Sequence, residues 1–402
     1  WFYLSARDLL IDGRIPLVGI TASHTWLHQG ALWTYMLAGA LWLFNFNPVS
    51  GAYLAAFLGV LSVWAIYIVG KTLFENEGVG LIAAFLFASS PLVIIHSRMP
   101  YHTAPIPLAT LLFIFAVYKY TKGGALYLPL ATFLLGILYS FELATMVFWI
   151  FLFIIVLITR KFQPGILILS FISFLIPMFP MIIYDLISNS GFYQVTAFLR
   201  LIKISVLSTS MFSSSTIYSI ISDLFTYNQR LVFLGSGFFA IITTIGSFTS
   251  LGQLLYKTYK KRKIDHTLTI IGLWIILSLF GIVISKTASE AYLPMLYPAI
   301  TLLISFFLIR TINKFPNLRI GIYIIIGVIS FSNVYLLLSQ NYLMGDKGYG
   351  PIFADRLAVA RKIVSAAKSR RYNIVGTGVE NYEYITWWLD KNPPSKEKQS
   401  LI

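Results

Sequence analysis

Of the chain's 402 residues 57% are hydrophobic and only 11% charged, and none is a cysteine. That balance lies far outside the range of soluble domains, and it excludes disorder, disulfide scaffolds and thiol or Cys-metal chemistry. The net charge of +15 points to membrane orientation rather than to a nucleic acid, because runs of about 18 or more nearly charge-free residues recur along the chain.

In chain order, Trp1-Phe2-Tyr3 opens without an initiator Met, so the chain reads as a fragment with a segment expected upstream. Residues 1–50 read as a first extracytoplasmic loop. Within it Gly30–Phe46 is apolar but short and has no basic anchor, and with Trp26, Trp33, Tyr35 and Trp42 it suits a helix lying in the outer leaflet. A crossing there would instead put the N-terminus in the cytoplasm.

Residues 51–338 read as a bundle of about ten spans: 51–71, 79–96, 103–120, 124–141, 143–159, 165–184, 231–251, 267–285, 292–311 and 320–338. Only helices satisfy their own backbone in lipid at this length. Alternate connections hold thirteen basic residues, among them Lys71, Lys122, Arg160, Lys261 and Arg319, against five (Arg98, Arg200, Lys203, Arg230, Lys286) in the other set. The richer set is expected in the cytoplasm. An outer loop of about 45 residues between Asp185 and Arg230 carries the Ser-rich run Ser208–Ser215. Residues 339–402 read as an extracytoplasmic α/β tail, with a helix over 355–371, a strand and turn over 372–378, and a further element over 382–389. The expected fold class is an all-α polytopic membrane protein with this small tail, multi-pass in the plasma membrane.

Polar residues are costly near spans, so where they collect carries the functional signal. Four of the five histidines, His24, His28, His96 and His102, fall on the outer side. They are joined by Arg7, Asp8, Asp12 and Arg14, by the turn H-S-R-M-P-Y-H-T-A-P at 96–105, by Glu142 and Asp185, and by K-T-A-S-E-A-Y-L-P at 286–294. His24 and His28 share a helical face but lack an evident third ligand. Arg98 serves either as a snorkelling anchor or as a phosphate site. Glu142 is either a functional carboxylate or an interfacial residue reaching water. Gly376-Thr-Gly378 lacks the third glycine and long helix of a nucleotide motif.

Four stretches together resemble the GT-C glycosyltransferases of the protein mannosyltransferase and lipid A aminoarabinose transferase type. W-F-Y-L-S-A-R-D-L-L-I-D-G-R-I-P at 1–16 is similar to the segment following the family's first-loop acidic pair. S-H-T-W-L-H-Q-G-A-L-W-T-Y at 23–35 is similar to its juxtamembrane helix, S-R-M-P-Y-H-T-A-P at 97–105 to its second outer loop, and A-Y-L-P-M-L-Y-P at 291–298 to its late Tyr-Leu-Pro segment. The resemblance implies a GT-C-like bundle. It implies transfer of a hexose or pentose from a polyprenyl-phosphate donor to a lipid, protein or glycan acceptor at the outer face, with the bilayer as a further partner. It implies substrate contacts from Arg98, His102, His28, Lys286, Glu290 and Tyr292, and leaves room for a divalent metal without defining a metal site.

Two departures accompany it. The family's acidic pair falls just before Trp1, and its second-loop acid aligns near His102 or Thr103. Within the chain Asp8, His102 and Glu142 are the remaining catalytic candidates, and residues 1–402 alone are expected not to catalyse. A competing reading, a transporter or flippase of a polyprenyl-linked glycan, calls for ionisable residues buried at mid-membrane. A structural subunit without chemistry calls for no outer-face polar cluster. The charge asymmetry yields a direct test: His102, Ser289 and the tail near Tyr372 are expected outside and Lys261 inside, so an impermeant thiol reagent in intact cells should label a single cysteine at 289 and not one at 261, and the opposite result would reverse the orientation.

Overall fold

The computed structural model describes residues 1–21, 27–160, 163–188, 194–196, 199–200, 203, 214–260, 265–285, 289–340, 350–367, 372–375 and 379–390. Helix α1 (Phe2–Asp12) stops at Gly13, whose left-handed φ of 67° suits glycine. Strands β1 (Val18–Thr21) and β2 (His28–Gly30) then pair antiparallel and lead into α2 (Leu32–Leu43). The bundle follows as α3 (Ser50–Phe74), α4 (Glu77–Ala88), α5 (Pro91–His96), α6 (Ile106–Thr121) and α7 (Tyr127–Phe141), then α8 (Val147–Thr159) and α9 (Pro164–Ile187). After these come α10 (Ser214–Val232), α11 (Gly237–Lys260), α12 (His266–Ser285), α13 (Tyr297–Lys314) and α14 (Arg319–Ser339). The tail contributes α15 (Phe353–Ala367) and α16 (Glu380–Asp390).

Five of these helices, α3, α9, α11, α12 and α14, are each long and apolar enough to cross a membrane. Helix α3 illustrates how an all-apolar helix chooses its faces. Tyr53, Phe57, Val60 and Trp64 are exposed at helical spacing, while Ala55, Leu58, Ser62, Ala65, Ile66 and Val69 are buried. Hydrophobicity cannot sort the two faces in lipid, so small and close-fitting residues go to the bundle and bulky ones to the outside. At 12 residues, α2 is about 18 Å long, short of the roughly 30 Å hydrocarbon core. It packs instead on α1, α3 and α7.

The stretch expected as one span over 79–96 is two helices. Pro91 lacks the N–H that a continuous helix would use, so Ser90 is extended and α5 starts afresh. Ser89 occupies the break, its Oγ 2.9 Å from Phe85 O and 2.9 Å from Ser330 Oγ of α14. The β1–β2 hairpin had no counterpart in the sequence reading. Conversely, the tail segment read as a strand contains a single bridge residue, Asn373, and 376–378 fall outside the described residues.

The turns divide between two ends of the bundle. At one end Glu75, left-handed at φ 50°, closes α3, and the Asn76 side chain caps α4 through Val79 N–H. Lys122 Nζ lies 3.4 Å from Glu75 and Thr267 Oγ1 donates to Leu73 O at 2.8 Å. The other end gathers α1, the hairpin, α2, the 97–105 loop, Glu142, the short 3-10 turn Glu290–Met295, and α16. Here Tyr384 Oη donates to Phe46 O at 2.8 Å, Arg7 lies over the Trp387 ring at 5.1 Å, and Tyr3 Oη donates to Pro48 O at 2.8 Å. Burial holds the Tyr3 and Tyr384 phenols above their ordinary range, so both stay hydroxyl donors.

Gly51 is where this layer meets the bundle. A Cβ there would strike Tyr3 Oη, Pro100 Cβ and Leu37 Cδ1, which belong to three different elements. Gly51→Leu should therefore cost about 1–3 kcal/mol by overpacking, read as a lowered midpoint of thermal unfolding in detergent. Gly39→Ala, with nothing within 4 Å of the added carbon, should leave the midpoint within about 1 °C or raise it slightly.

Candidate active site

Glu142 ends α7. Its extended backbone (φ −150°, ψ 121°) turns the chain into a 3-10 turn, Leu143–Met146, that leads to α8, and its own side chain accepts Ala144 N–H at 3.3 Å. The residue is 5% exposed, and a carboxyl group so far from water needs donors to replace the lost hydration. Three do. Besides Ala144 N–H, Gln29 Nε2 of β2 donates to Oε1 at 3.2 Å, and His102 Nε2 of the 97–105 loop lies 3.1 Å from Oε2. Gln29 is pinned in turn, because its Oε1 accepts Leu143 N–H at 3.1 Å. The hairpin thus exists at a definite height against α7. Gly30 makes that approach feasible, since a Cβ there would collide with Ser140 Oγ.

His102 is 4% exposed and sits under two rings, Tyr101 at 4.1 Å and Phe2 of α1 at 5.7 Å. Its Nδ1 is buried with no hydrogen-bond partner among the described residues. Tyr101 links this group to the 3-10 turn Glu290–Met295. Burial first, then the nearby Glu142 charge and Tyr292, push the Tyr101 phenol up, so it remains a neutral hydroxyl.

A second cluster ties the same end together. Glu290 Oε2 accepts Arg230 Nη1 of α10 at 2.8 Å, and Oε1 lies 2.8 Å from His96 Nε2 of α5. His96 also stands edge-on to Tyr297 of α13 at 5.7 Å. A small cavity nearby is lined by Gly59, Ser62, His96, Ser97, Thr103 and Tyr297, among others.

The expected site residues therefore fall into separate groups. His102 and Glu142 meet directly, and Tyr292 is coupled to them through Tyr101. Glu290 belongs to the His96–Arg230 cluster. Arg98 is exposed on the same loop as His102 and makes no ion pair among the described residues. Asp8 is held by Arg7, with Nε 2.8 Å away, in the α1–α16 layer. His28 Nδ1 lies 3.4 Å from Gly19 O within the hairpin and its ring is 6.1 Å from Tyr184. Asp185 is buried and caps the following backbone, accepting Gln194 N–H at 2.6 Å. Lys286 and His24 lie outside the described residues. Among those described, no three His, Asp or Glu side chains could hold a metal ion. The sequence reading gave no role to Gln29, Tyr101 or Arg230, although Tyr101 lies in the 96–105 turn, Arg230 is one of the five basic residues of the poorer set, and Gln29 is an amide between His28 and Gly30 at the mouth of an apolar run.

The Arg230–Glu290 pair, with side chains 14% and 19% exposed, yields a prediction. Removing one partner of a buried pair strands the other charge, so Arg230→Met should destabilise by about 3 kcal/mol. Arg230→Met with Glu290→Leu should recover most of it, read as unfolding midpoints in detergent.

Comparison with known proteins follows the same lines. Residues 28–184 match the model of the dolichyl-phosphate-mannose-protein mannosyltransferase family, a stretch that contains Gln29, Arg98, His102 and Glu142. No curated protein sequence matches the chain. The chain superimposes over its whole length on an oligosaccharyltransferase of Archaeoglobus fulgidus solved with Zn and sulfate, with a TM-score of 0.56 at 15% identity, and spans 54% of that protein. It also superimposes over 97% of its length on ArnT of Cupriavidus metallidurans bound to undecaprenyl phosphate, covering 70% of that chain, with a TM-score of 0.54 at 12% identity. The chain is accordingly a predominantly helical membrane bundle with the fold of these two GT-C structures.

Proposed function

We propose that the chain transfers a sugar from a polyprenyl-phosphate donor to an acceptor hydroxyl at the extracytoplasmic face of the plasma membrane. The observation that carries this reading is the concentration of buried hydrogen-bonded charge at one end of an apolar GT-C bundle. Glu142, His102 and Gln29 meet there, and the cluster of His96 from α5, Arg230 from α10 and Glu290 from the 3-10 turn lies at the same end. The mannosyltransferase family match over residues 28–184, which include Gln29, His96, His102 and Glu142, supports sugar transfer, and undecaprenyl phosphate in one structural neighbour supports a polyprenyl-phosphate donor. The basic-residue asymmetry supports the outward orientation of this end.

Chemically, the donor brings its own leaving group. When the acceptor oxygen bonds to the anomeric carbon, the bond to phosphate breaks and its electron pair leaves on the phosphate. The protein must bind the phosphate, orient the acceptor and take up one proton. Arg98, exposed on the loop that also carries Tyr101 and His102, is assigned to the donor phosphate, with Lys286 as its partner. Glu290 and Tyr292, both on the 3-10 turn Glu290–Met295, are assigned further substrate contacts. A divalent metal finds a poor fit among the described residues, because the Glu142 oxygens are taken by N–H donors, and no step is routed through one. The transporter reading calls for charge at mid-membrane. Among the described residues the buried His, Asp, Glu, Lys and Arg side chains are His102, Glu142 and Asp185, all beside helix ends, which favours an enzyme.

The test is transfer of a labelled sugar from polyprenyl-phosphate donors by the native full-length protein in proteoliposomes. Product is expected, and its absence with every hexosyl and pentosyl donor overturns the reading. Arg98→Ala should raise the apparent KM for the donor about 10- to 100-fold, the equivalent of roughly 1.5–3 kcal/mol for a charge-assisted phosphate contact. Unchanged donor kinetics would return Arg98 to the role of interface anchor.

A further inference from the structure

His102 and Glu142 form a buried imidazole–carboxylate pair whose second ring nitrogen has no partner among the described residues. We propose that His102 Nδ1 is the proton acceptor of the transfer reaction, with Glu142 as the positioning carboxylate that fixes its tautomer. This rests on the function proposed above and adds to it a division of labour between the two residues.

The argument begins with hydrogen-bond accounting. Glu142 Oε2 needs a donor, and the group 3.1 Å away is His102 Nε2, so Nε2 carries the proton. Gln29 Nε2 and Ala144 N–H occupy Oε1, which leaves the carboxylate no rotational freedom to accept elsewhere. If Nδ1 were also protonated, it would be a charged N–H buried without an acceptor, a costly arrangement. With Nε2 donating to Glu142, Nδ1 carries the ring's lone pair, the tautomer in which a carboxylate-held histidine works as a base. Once the acceptor's proton arrives at Nδ1, the adjacent carboxylate stabilises the imidazolium.

The surroundings suit that role. Besides Glu142, the titratable groups facing His102 are Tyr101 on its own loop and, beyond it, Tyr292, and both are phenols. From α1 the ring meets Phe2. Phe2 and Tyr101, 5.9 Å apart and edge to face, close over the imidazole, so an acceptor reaches Nδ1 as Phe2 swings aside. The step balances: the acceptor O–H proton goes to Nδ1, its oxygen bonds to the anomeric carbon, the carbon–phosphate oxygen bond breaks, and the polyprenyl phosphate departs with the electron pair. The imidazolium returns its proton to solvent when the site reopens.

The experiment is a pH–rate profile of the native full-length enzyme with a polyprenyl-phosphate sugar donor. Wild-type kcat/KM should fall on the acidic side as one group protonates. His102→Gln should lower kcat at least 100-fold with donor KM unchanged, and should abolish the acidic limb. Glu142→Gln should lower kcat about 10- to 100-fold and displace the limb, and Glu142→Asp, which restores the charge, should recover part of the rate. A His102→Gln enzyme within threefold of wild type, or one that keeps the acidic limb, overturns the proposal while leaving sugar transfer standing. If His102→Gln does not fold, the Glu142 variants decide, and an unmoved acidic limb in both overturns it. A wild-type protein inactive with every donor refutes the parent reading, and this one with it.

Discussion

A carboxylate that leaves water must find its donors inside the protein, and at Glu142 that requirement organises one whole end of the molecule. No single element supplies the set. The amide comes from β2, the imidazole from the loop between α5 and α6, and the backbone N–H from the 3-10 turn that Glu142 itself begins. Each donor is useful only at hydrogen-bond distance, so the hairpin, the loop and the α7–α8 junction have one mutually acceptable arrangement. Gln29 makes the constraint reciprocal, because its carbonyl oxygen holds the very turn whose carboxylate it serves.

The layer above depends on that arrangement. Phe2 covers His102 from α1, Tyr3 anchors α1 to the start of the bundle, and Tyr384 with Trp387 of α16 packs onto the same helices. The first helix and the last thus form a lid of aromatic contacts over buried polar groups. A membrane protein has particular reason to build its site this way. Apolar helices in lipid gain little from hydrophobicity alone, so hydrogen bonds and close fit must settle which loops meet. At the far side of this end, Arg230 and His96 perform the same service for Glu290, joining α10 and α5 to the turn before α13.

Excluding water from these groups also strengthens them. Within a dry site a carboxylate orients an imidazole and favours its protonated form more effectively than it could in solution. That suits a glycosyl transfer whose leaving group is already a good one, where the protein has one proton to manage and a phosphate to hold. Arg98 differs from the buried residues in being exposed, on the same loop that carries His102.

Composition and pattern by themselves determined that the chain is a helical membrane protein and roughly where its helices run. Apolar length and basic-residue placement are properties of segments, and a segment carries them wherever it packs. Glu142, His102 and Arg98 were likewise visible as polar residues beside apolar runs. Only the tertiary structure decided the partnerships. Gln29 lies 113 residues from Glu142 and Arg230 lies 60 from Glu290, separations at which no local spacing rule operates. The hairpin was hidden because four and three residues are too few to show an alternation. Asp8 and His28 looked equivalent to His102 in sequence, but their partners proved to be an adjacent arginine and a hairpin carbonyl. Which carboxylate is buried beside an imidazole is a matter of packing between loops, and the chain records that only once it has folded.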